Sequence, residues 1–177
     1  MKILKATASF LGCALVSIQL HASEPITRKN WINHPAIVEV RGIYSAVMKD
    51  KTLTVKTKKF NMEYCEPGED ESRAIYRDKN GVTRIYRFSG GSEDTTAQRE
   101  IVYDANGTIR FAFIKAGATN GTKIEHRVYF SDAGQKIWEI QEKIKGPGYP
   151  FPTKWPEKDL IQNPWQRFNS TDLCAEL

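Results

Sequence analysis

Residues that commonly perform catalysis or bind metals are sparse in this chain. It has three histidines and three cysteines among 177 residues. His126 lies among alternating apolar residues, which is typical of a hydrogen-bonded core histidine and, in a second interpretation, of a pocket residue. His34 precedes Pro35 and is expected to serve helix entry. A zinc site normally takes three or four protein ligands, so we expect no bound metal.

Serine-based and phosphate-binding motifs do not occur in the sequence either. There is no Gly-x-Ser-x-Gly nucleophile elbow. Ser89-Gly-Gly-Ser92 is rich in glycine, but it joins two predicted strands, whereas a phosphate cradle depends on a following helix N-terminus. We therefore predict no cofactor, and no motif indicates an enzyme of a particular class.

Acidic side chains are the stronger candidates for a functional role. Two predicted loops, 66–71 and 89–96, are expected at one end of a β-sheet. Their acidic residues are Glu66, Glu69, Asp70, Glu71, Glu93 and Asp94. One interpretation is a solvated rim, and the other is a docking surface whose field attracts a cationic partner. The 66–71 loop lacks the alternating oxygen-ligand spacing of calcium loops.

Three similar turns predict the architecture that positions these loops. Tyr76–Gly81, Tyr103–Gly107 and Phe130–Gly134 each end a strand-like stretch in a turn closed by glycine, with the glycines 26 and 27 residues apart. Such a recurrence indicates one supersecondary unit used three times. A tight Asp/Asn-Gly turn between two strand-like stretches predicts a β-hairpin.

The hairpins extend into a predicted antiparallel meander. Strands are expected near 52–64, 72–78, 82–88, 97–104, 108–115, 122–131 and 135–144. Tight connections at 79–81, 105–107 and 132–134 alternate with looser ones at 89–96 and 116–121. The two kinds of connection therefore fall at opposite ends of the sheet.

A helix is predicted at 35–48, because Pro35 suits the first helical position and apolar residues recur at helical spacing. Val38 and Val40 also alternate as in a strand. Three-residue turns would pair Ile75 with Ile85, Ile101 with Phe111, Val128 with Trp138 and Arg127 with Glu139. On that register one face of the sheet is apolar, carries His126 and Trp138, and is covered by the helix.

The composition changes after residue 145. Four of the eight prolines lie in 146–156, which predicts extended, polyproline-like chain. A short helical stretch at 157–162 is expected to follow. We expect this tail to wrap its own domain, with a ligand for an aromatic groove, or a lid over one, as the alternative.

The predicted fold class is therefore α+β, with one N-terminal helix packed on a curved antiparallel β-meander of about seven strands and an extended, proline- and aromatic-rich C-terminal tail. We expect one secreted domain at 23–177, with the helix at 35–48, the meander at 52–144 and the wrapping tail at 145–177.

Residues 1–22 have the pattern of a secretory signal peptide. Lys2 and Lys5 precede an apolar run that is too short to span a bilayer, and Ala22 suits the residue before the cleavage site. The alternative is a lipoprotein acylated at Cys13. We expect a secreted protein of the bacterial envelope, in the periplasm or the medium. In a eukaryotic secreted protein, the glycosylation acceptors would be Asn106, Asn120 and Asn169.

Removing 1–22 lowers the formal net charge from +5 to +3, which does not indicate nucleic-acid binding. No transmembrane segment is predicted.

Cys65 and Cys174 remain, and two cysteines in an exported chain usually pair, with two separate thiols as the alternative. The bridge would close a loop of about a hundred residues and contribute about 4–5 kcal/mol.

The Tyr-x-x-x-Gly spacing of the turns is similar to the short hairpin repeats of MORN-type and YD-type proteins. The likeness covers about 72–144. It implies hairpins, and it implies no activity, cofactor or site residue.

Three functional hypotheses follow. The first is a non-enzymatic secreted or periplasmic binding module, such as an inhibitor or immunity-type protein, that recognises a cationic protein partner of the cell envelope through the acidic loops. The second is a carrier of a small apolar ligand, with a cavity between helix and sheet near His126 and Trp138. The third is an enzyme of unknown class. The oligomeric state is not indicated.

Overall fold

The computed structural model describes residues 24–61, 70–156, 160 and 163–170. A 3-10 turn at Trp31–Asn33 precedes helix α1, Pro35–Lys49, and helix α2 spans Pro164–Asn169. The strands are β1 Thr54–Asn61, β2 Asp70–Arg77, β3 Thr83–Gly91, β4 Thr95–Tyr103, β5 Ile109–Ala118, β6 Lys123–Phe130 and β7 Lys136–Lys145.

The predicted α+β fold is confirmed. The seven strands lie in chain order in one open antiparallel sheet, as a meander requires. Helix α1 begins at Pro35, where a missing N–H costs nothing, and the imidazole of His34 accepts a 3.3 Å hydrogen bond from the Ala36 N–H. Of the predicted 157–162 helix, residues 157–159 and 161–162 lie outside the described residues, and α2 begins later, at Pro164.

No helix in the described part of the chain has the length and apolar character needed to cross a membrane.

Four turns share one conformation. Gly81, Gly107, Gly121 and Gly134 have φ between 73° and 84°, a left-handed backbone that favours glycine. In each turn the glycine N–H donates to the carbonyl oxygen three residues earlier. Because the turn at Gly121 has this same form, the prediction that 116–121 is a looser loop is wrong.

The β3–β4 connection is also tighter than predicted. β3 and β4 extend to Gly91 and Thr95, so that Glu93 and Asp94 form the tip of a two-residue turn. Backbone bonds of 2.8 Å and 3.2 Å join Ser92 and Thr95, and their hydroxyls lie 2.9 Å apart. Ser92 and Thr95 therefore continue the hydrogen-bond ladder between β3 and β4, although the glycines in this stretch had predicted a flexible loop.

The predicted cross-strand pairs are wrong by one residue. The structure pairs Ile75 with Tyr86, Ile101 with Ala112, Val128 with Glu139 and Arg127 with Ile140. In each hairpin the returning strand has one extra residue just after the turn, at Arg84, Arg110 and Ile137. A β-bulge of this kind shifts the register by one, so partners expected on the same face lie on opposite faces.

Both faces of the sheet are covered, by different elements. Helix α1 packs on the helix face, where Ile37 and Val40 meet Val102, Phe111 and Tyr129. The described part of 146–170, here called the tail, packs on the opposite, tail face. Trp155, Leu160 and Phe168 join the apolar core there. The prediction that α1 covers the face of Val128 is therefore wrong, since the tail covers it.

The connections β1–β2, β3–β4 and β5–β6 share one end of the sheet, here called the Glu93 end. Helix α1 packs toward the other end, along the cross-strand row that contains Ile85, Val102, Phe111, Tyr129 and Trp138. The part of the helix face nearest the Glu93 end is therefore left open.

Candidate recognition site

The six predicted acidic residues are not equivalent in the structure. Glu66 and Glu69 lie outside the described residues, and Asp70 is described only in its backbone, at the start of β2. Glu71 forms an ion pair with the buried guanidinium of Arg73 and lies 3.8 Å from that of Arg167. Glu71 therefore stabilises the packing of α2 on β2 and is not part of an exposed loop.

Glu93 and Asp94 are exposed at the tip of the β3–β4 turn. Neither forms an ion pair with another described residue. The Asp94 carbonyl accepts a 2.9 Å hydrogen bond from the Thr119 N–H, which joins this turn to the β5–β6 turn beside it. The two carboxylates therefore project from a braced end of the sheet.

A groove of about 560 Å³ lies beside this tip. Its lining comes from the adjoining ends of β3 to β6, with Ile144 of β7. Strand alternation places two of its cross-strand rows on the helix face, beyond the reach of α1. They are Ser89, Gln98, Lys115 and Glu125, then Gly91, Thr96, Gly117 and Lys123. The groove is thus the open part of the helix face.

The groove carries separated charges of both signs. Glu125 pairs with Arg127, which also donates to Glu142 at 2.9 Å. Lys115 and Lys123 are exposed and have no acidic partner within 4 Å among the described residues. The basic groove floor and the acidic tip together form one bipolar surface.

The structure does not bring His126 and Trp138 together. Trp138 lies opposite Tyr129 on the helix face and stacks on Trp31 with ring centroids 6.3 Å apart. His126 is fully buried on the tail face, where its ring lies edge-on to Trp155 at 5.9 Å. The bulge at Ile137 separates the pair, so the two side chains cannot line one cavity.

His126 belongs instead to a hydrogen-bond network under the tail. Its Nε2 lies 2.7 Å from Glu139 Oε1. Burial lowers the pKa of His126 below its ordinary 6.5, although the bond to Glu139 opposes this shift. Burial would raise the pKa of Glu139, but hydrogen bonds from the Trp155 N–H, Lys136 and His126 outweigh it and hold that pKa below 4.5. A neutral imidazole therefore faces a carboxylate.

The groove was missed at the level of sequence, although a signal for it exists. Small residues fall on adjacent strands at matching positions, with Gly91 opposite Thr96 and Thr96 opposite Gly117. Small side chains in register leave a depression in a sheet. Recognising this depression requires the correct pairing of residues between strands, and the bulges made the predicted pairing wrong.

No three His, Cys, Asp or Glu side chains within the described ranges are grouped so that they would hold a metal ion. Cys65 and Cys174 lie outside these ranges, so their pairing stays a prediction. No known protein family, curated protein or solved structure shows a significant match to this chain.

Proposed function

We propose that this protein is a non-enzymatic binding module that captures a protein partner at the Glu93 end of its sheet. The observation that carries the proposal is the position of Glu93 and Asp94, exposed and unpaired among the described residues, on the rim of an open groove. The partner contact at the tip would be cationic, because two carboxylates on a projecting turn attract positive charge and speed its approach.

The bipolar surface favours a protein over a simple ion. Lys115 and Lys123 on the groove floor would donate hydrogen bonds to carboxylates or backbone carbonyls of the partner, whereas Glu93 and Asp94 would accept hydrogen bonds from its basic side chains. A folded partner can present both kinds of group in one geometry. An inhibitor or immunity-type role fits such a surface, because it needs capture and no chemistry of its own.

The polar side chains buried elsewhere support a binding role over a catalytic one. His126 and Glu139 fasten the tail through Trp155, and Glu71 and Arg73 fasten α2. These groups hold the fold together and face packed chain. No observation favours the carrier or the enzyme as a second function.

We further propose that capture takes place in the bacterial envelope or outside the cell. This rests on the signal-like sequence of 1–22, which lies outside the described residues. Fractionation of the producing cells, with detection of the protein after osmotic shock, tests this location.

Affinity capture from envelope extract tests the function. The purified protein is immobilised and the retained proteins are identified and quantified at low and high salt. We expect a basic protein to be retained at low salt and released near 0.5 M, where exposed charges are screened beyond about 4 Å. The E93Q/D94N double variant should retain about fivefold less, which corresponds to roughly 1 kcal/mol for two exposed contacts.

The matched control is E24Q/D132N, which removes the same charge from exposed residues away from the groove. It should retain as much partner as the parent protein. Equal retention by E93Q/D94N and the parent protein, or no retained protein at any salt concentration, would contradict the proposal.

A further inference from the structure

The tail is fastened to the sheet through Glu139 of β7. One carboxylate oxygen, Oε1, accepts hydrogen bonds from His126 Nε2 at 2.7 Å and from the Trp155 backbone N–H. The other oxygen, Oε2, accepts from Lys136 Nζ at 3.0 Å. One carboxylate therefore joins β6, β7 and the tail.

A second fastening point lies two residues along β7. Gln141 Nε2 donates to the carbonyl oxygen of Pro152 at 2.6 Å and lies 3.2 Å from His126 Nδ1. This arrangement suits a neutral imidazole that carries its proton on Nε2 and accepts at Nδ1. A proton on Nδ1 would face the amide NH2 of Gln141, so that two hydrogen-bond donors would oppose each other. Turning the amide to meet it would withdraw Nε2 from Pro152.

Little else holds this stretch of tail by hydrogen bonds. Within the described residues, the bonds that join 149–156 to the sheet end on Glu139 and Gln141. The stretch has no strand ladder, and Gly146 and Gly148 before it have φ of 88° and 126°. Segments with few backbone hydrogen bonds open locally at low cost. The stretch can therefore separate from a sheet that stays folded.

Other charged groups surround the network. Lys136 of β7 contacts Glu139 directly, and the Arg99 guanidinium of β4 lies 5.1 Å from the Trp155 ring centre. Lys154 of the tail is exposed. β5 and β6 contribute the apolar Ile114 and Val128 beside His126. These neighbours other than Glu139 are cations, and burial together with the charge of Lys136 disfavours protonation of His126 in the closed form.

We propose that residues 149–156 form an acid-released strap, closed at neutral pH and freed from the sheet when His126 and then Glu139 take up protons. The strap lies on the face opposite the groove, so it is independent of the proposed capture surface. Its release would bare apolar residues of the tail face such as Val128 and Ile114, which are closed off at neutral pH.

The direction of the pH dependence follows from the linkage between proton binding and opening of the strap. Both groups have a pKa in the closed form below the ordinary value, so each binds a proton more readily once the strap opens. Stability of the closed strap is then present at neutral pH and is lost as pH falls. The loss begins near 6.5 for His126 and continues below 4.5 for Glu139.

Hydrogen–deuterium exchange measured from pH 7.5 to 3.5, corrected for the intrinsic pH dependence of exchange, tests the strap. In the parent protein, protection of 149–156 should fall about tenfold or more while that of β4 and β5 stays high. In E139Q the protection should be low already at pH 7.5 and nearly independent of pH. H126Q, which keeps an amide donor toward Glu139, should lose the step near pH 6.5.

K154A is the matched control, since Lys154 is an exposed residue of the same segment. It should show the pH dependence of the parent protein. The titration of the parent protein needs no variant to fold. Protection of 149–156 that persists to pH 3.5, or that falls together with that of β4 and β5, would overturn the proposal.

Discussion

At the scale of single residues, a buried charged side chain holds helix α2 against the sheet. The Arg73 side chain is fully buried and donates to the carbonyl oxygens of Arg167 at 2.6 Å and Ser170 at 3.2 Å. These carbonyls lie at the C-terminal end of α2, where backbone donors become scarce, and the Arg167 carbonyl also accepts a 3.2 Å hydrogen bond from the Ser170 N–H. Its guanidinium also pairs with Glu71 and lies 4.7 Å from the Phe60 ring centre.

Replacing Arg73 by alanine should therefore destabilise the protein strongly. R73A removes the nearer guanidinium partner of Glu71 and the side-chain donor to two carbonyls at the end of α2. Removing one partner of a buried pair costs about 3–5 kcal/mol. Urea unfolding measures the loss. K59A, which removes an exposed lysine from the neighbouring strand, should stay within about 0.5 kcal/mol of the parent protein. Equal losses in the two variants would show that Arg73 does not fasten α2.

At the scale of elements, the same hairpin is built repeatedly with a bulge after its turn. In two hairpins an arginine occupies the bulge: Arg84 reaches the turn residue Asp78 at 3.8 Å, and Arg110 reaches Asp104 at 3.6 Å. Arg84 Nε also donates to the carbonyl oxygen of Tyr103, the last residue of β4, and Arg110 Nε donates to that of Phe130, the last residue of β6. The bulge arginine thus links consecutive hairpins.

Two glycine-to-alanine substitutions should change the stability of the protein in opposite directions. Gly107 has a φ of 81°, so G107A places a side chain in the left-handed region and should cost about 1 kcal/mol. Gly42 lies exposed in α1 with no atom within 4 Å of an added Cβ, so G42A should add about 0.5–1 kcal/mol of stability. Thermal unfolding of the two variants measures both. A stabilising G107A would contradict the assignment of the turn.

The periodicity of the sequence was enough to predict α1 and the seven strands, because hydrophobic spacing and Gly-closed turns are local signals. The assignment of side chains to the two faces of the sheet was wrong. One extra residue after a turn moves every later side chain of that strand to the other face, although the alternating pattern itself looks unchanged. An arginine six residues after the turn aspartate marks two of the bulges. The contact of Glu71 with Arg167 was not predictable, since the two residues are nearly a hundred positions apart in the sequence.

At the scale of the whole molecule, stability depends on covering both faces of the open sheet. Helix α1 covers one face and the tail covers the other. The contacts of Arg73 with Ser170, and of Lys58 with Asn169 at 3.5 Å, bring the end of the described tail to the β1–β2 hairpin. In the sequence, Cys65 lies between β1 and β2 and Cys174 lies four residues after Ser170, and both cysteines are outside the described residues.

The Cys65–Cys174 disulfide remains a prediction from the sequence. Thiol titration of the denatured, unreduced protein should find no free thiol in the chain lacking 1–22. The C65S/C174S variant should be about 4–5 kcal/mol less stable by the loop-entropy argument. Two free thiols in the unreduced protein would contradict the pairing.

The central claim is that partner capture occurs at the Glu93 end of the sheet. Site-specific photo-cross-linking tests it most directly, with a photoreactive amino acid placed at Asp94 or, as the control, at Asp132 in the β6–β7 turn at the opposite end. After irradiation in envelope extract at low salt, we predict a discrete cross-linked adduct from position 94 and none from position 132. An adduct from position 132 alone, equal adducts from both positions, or none from either would contradict the claim.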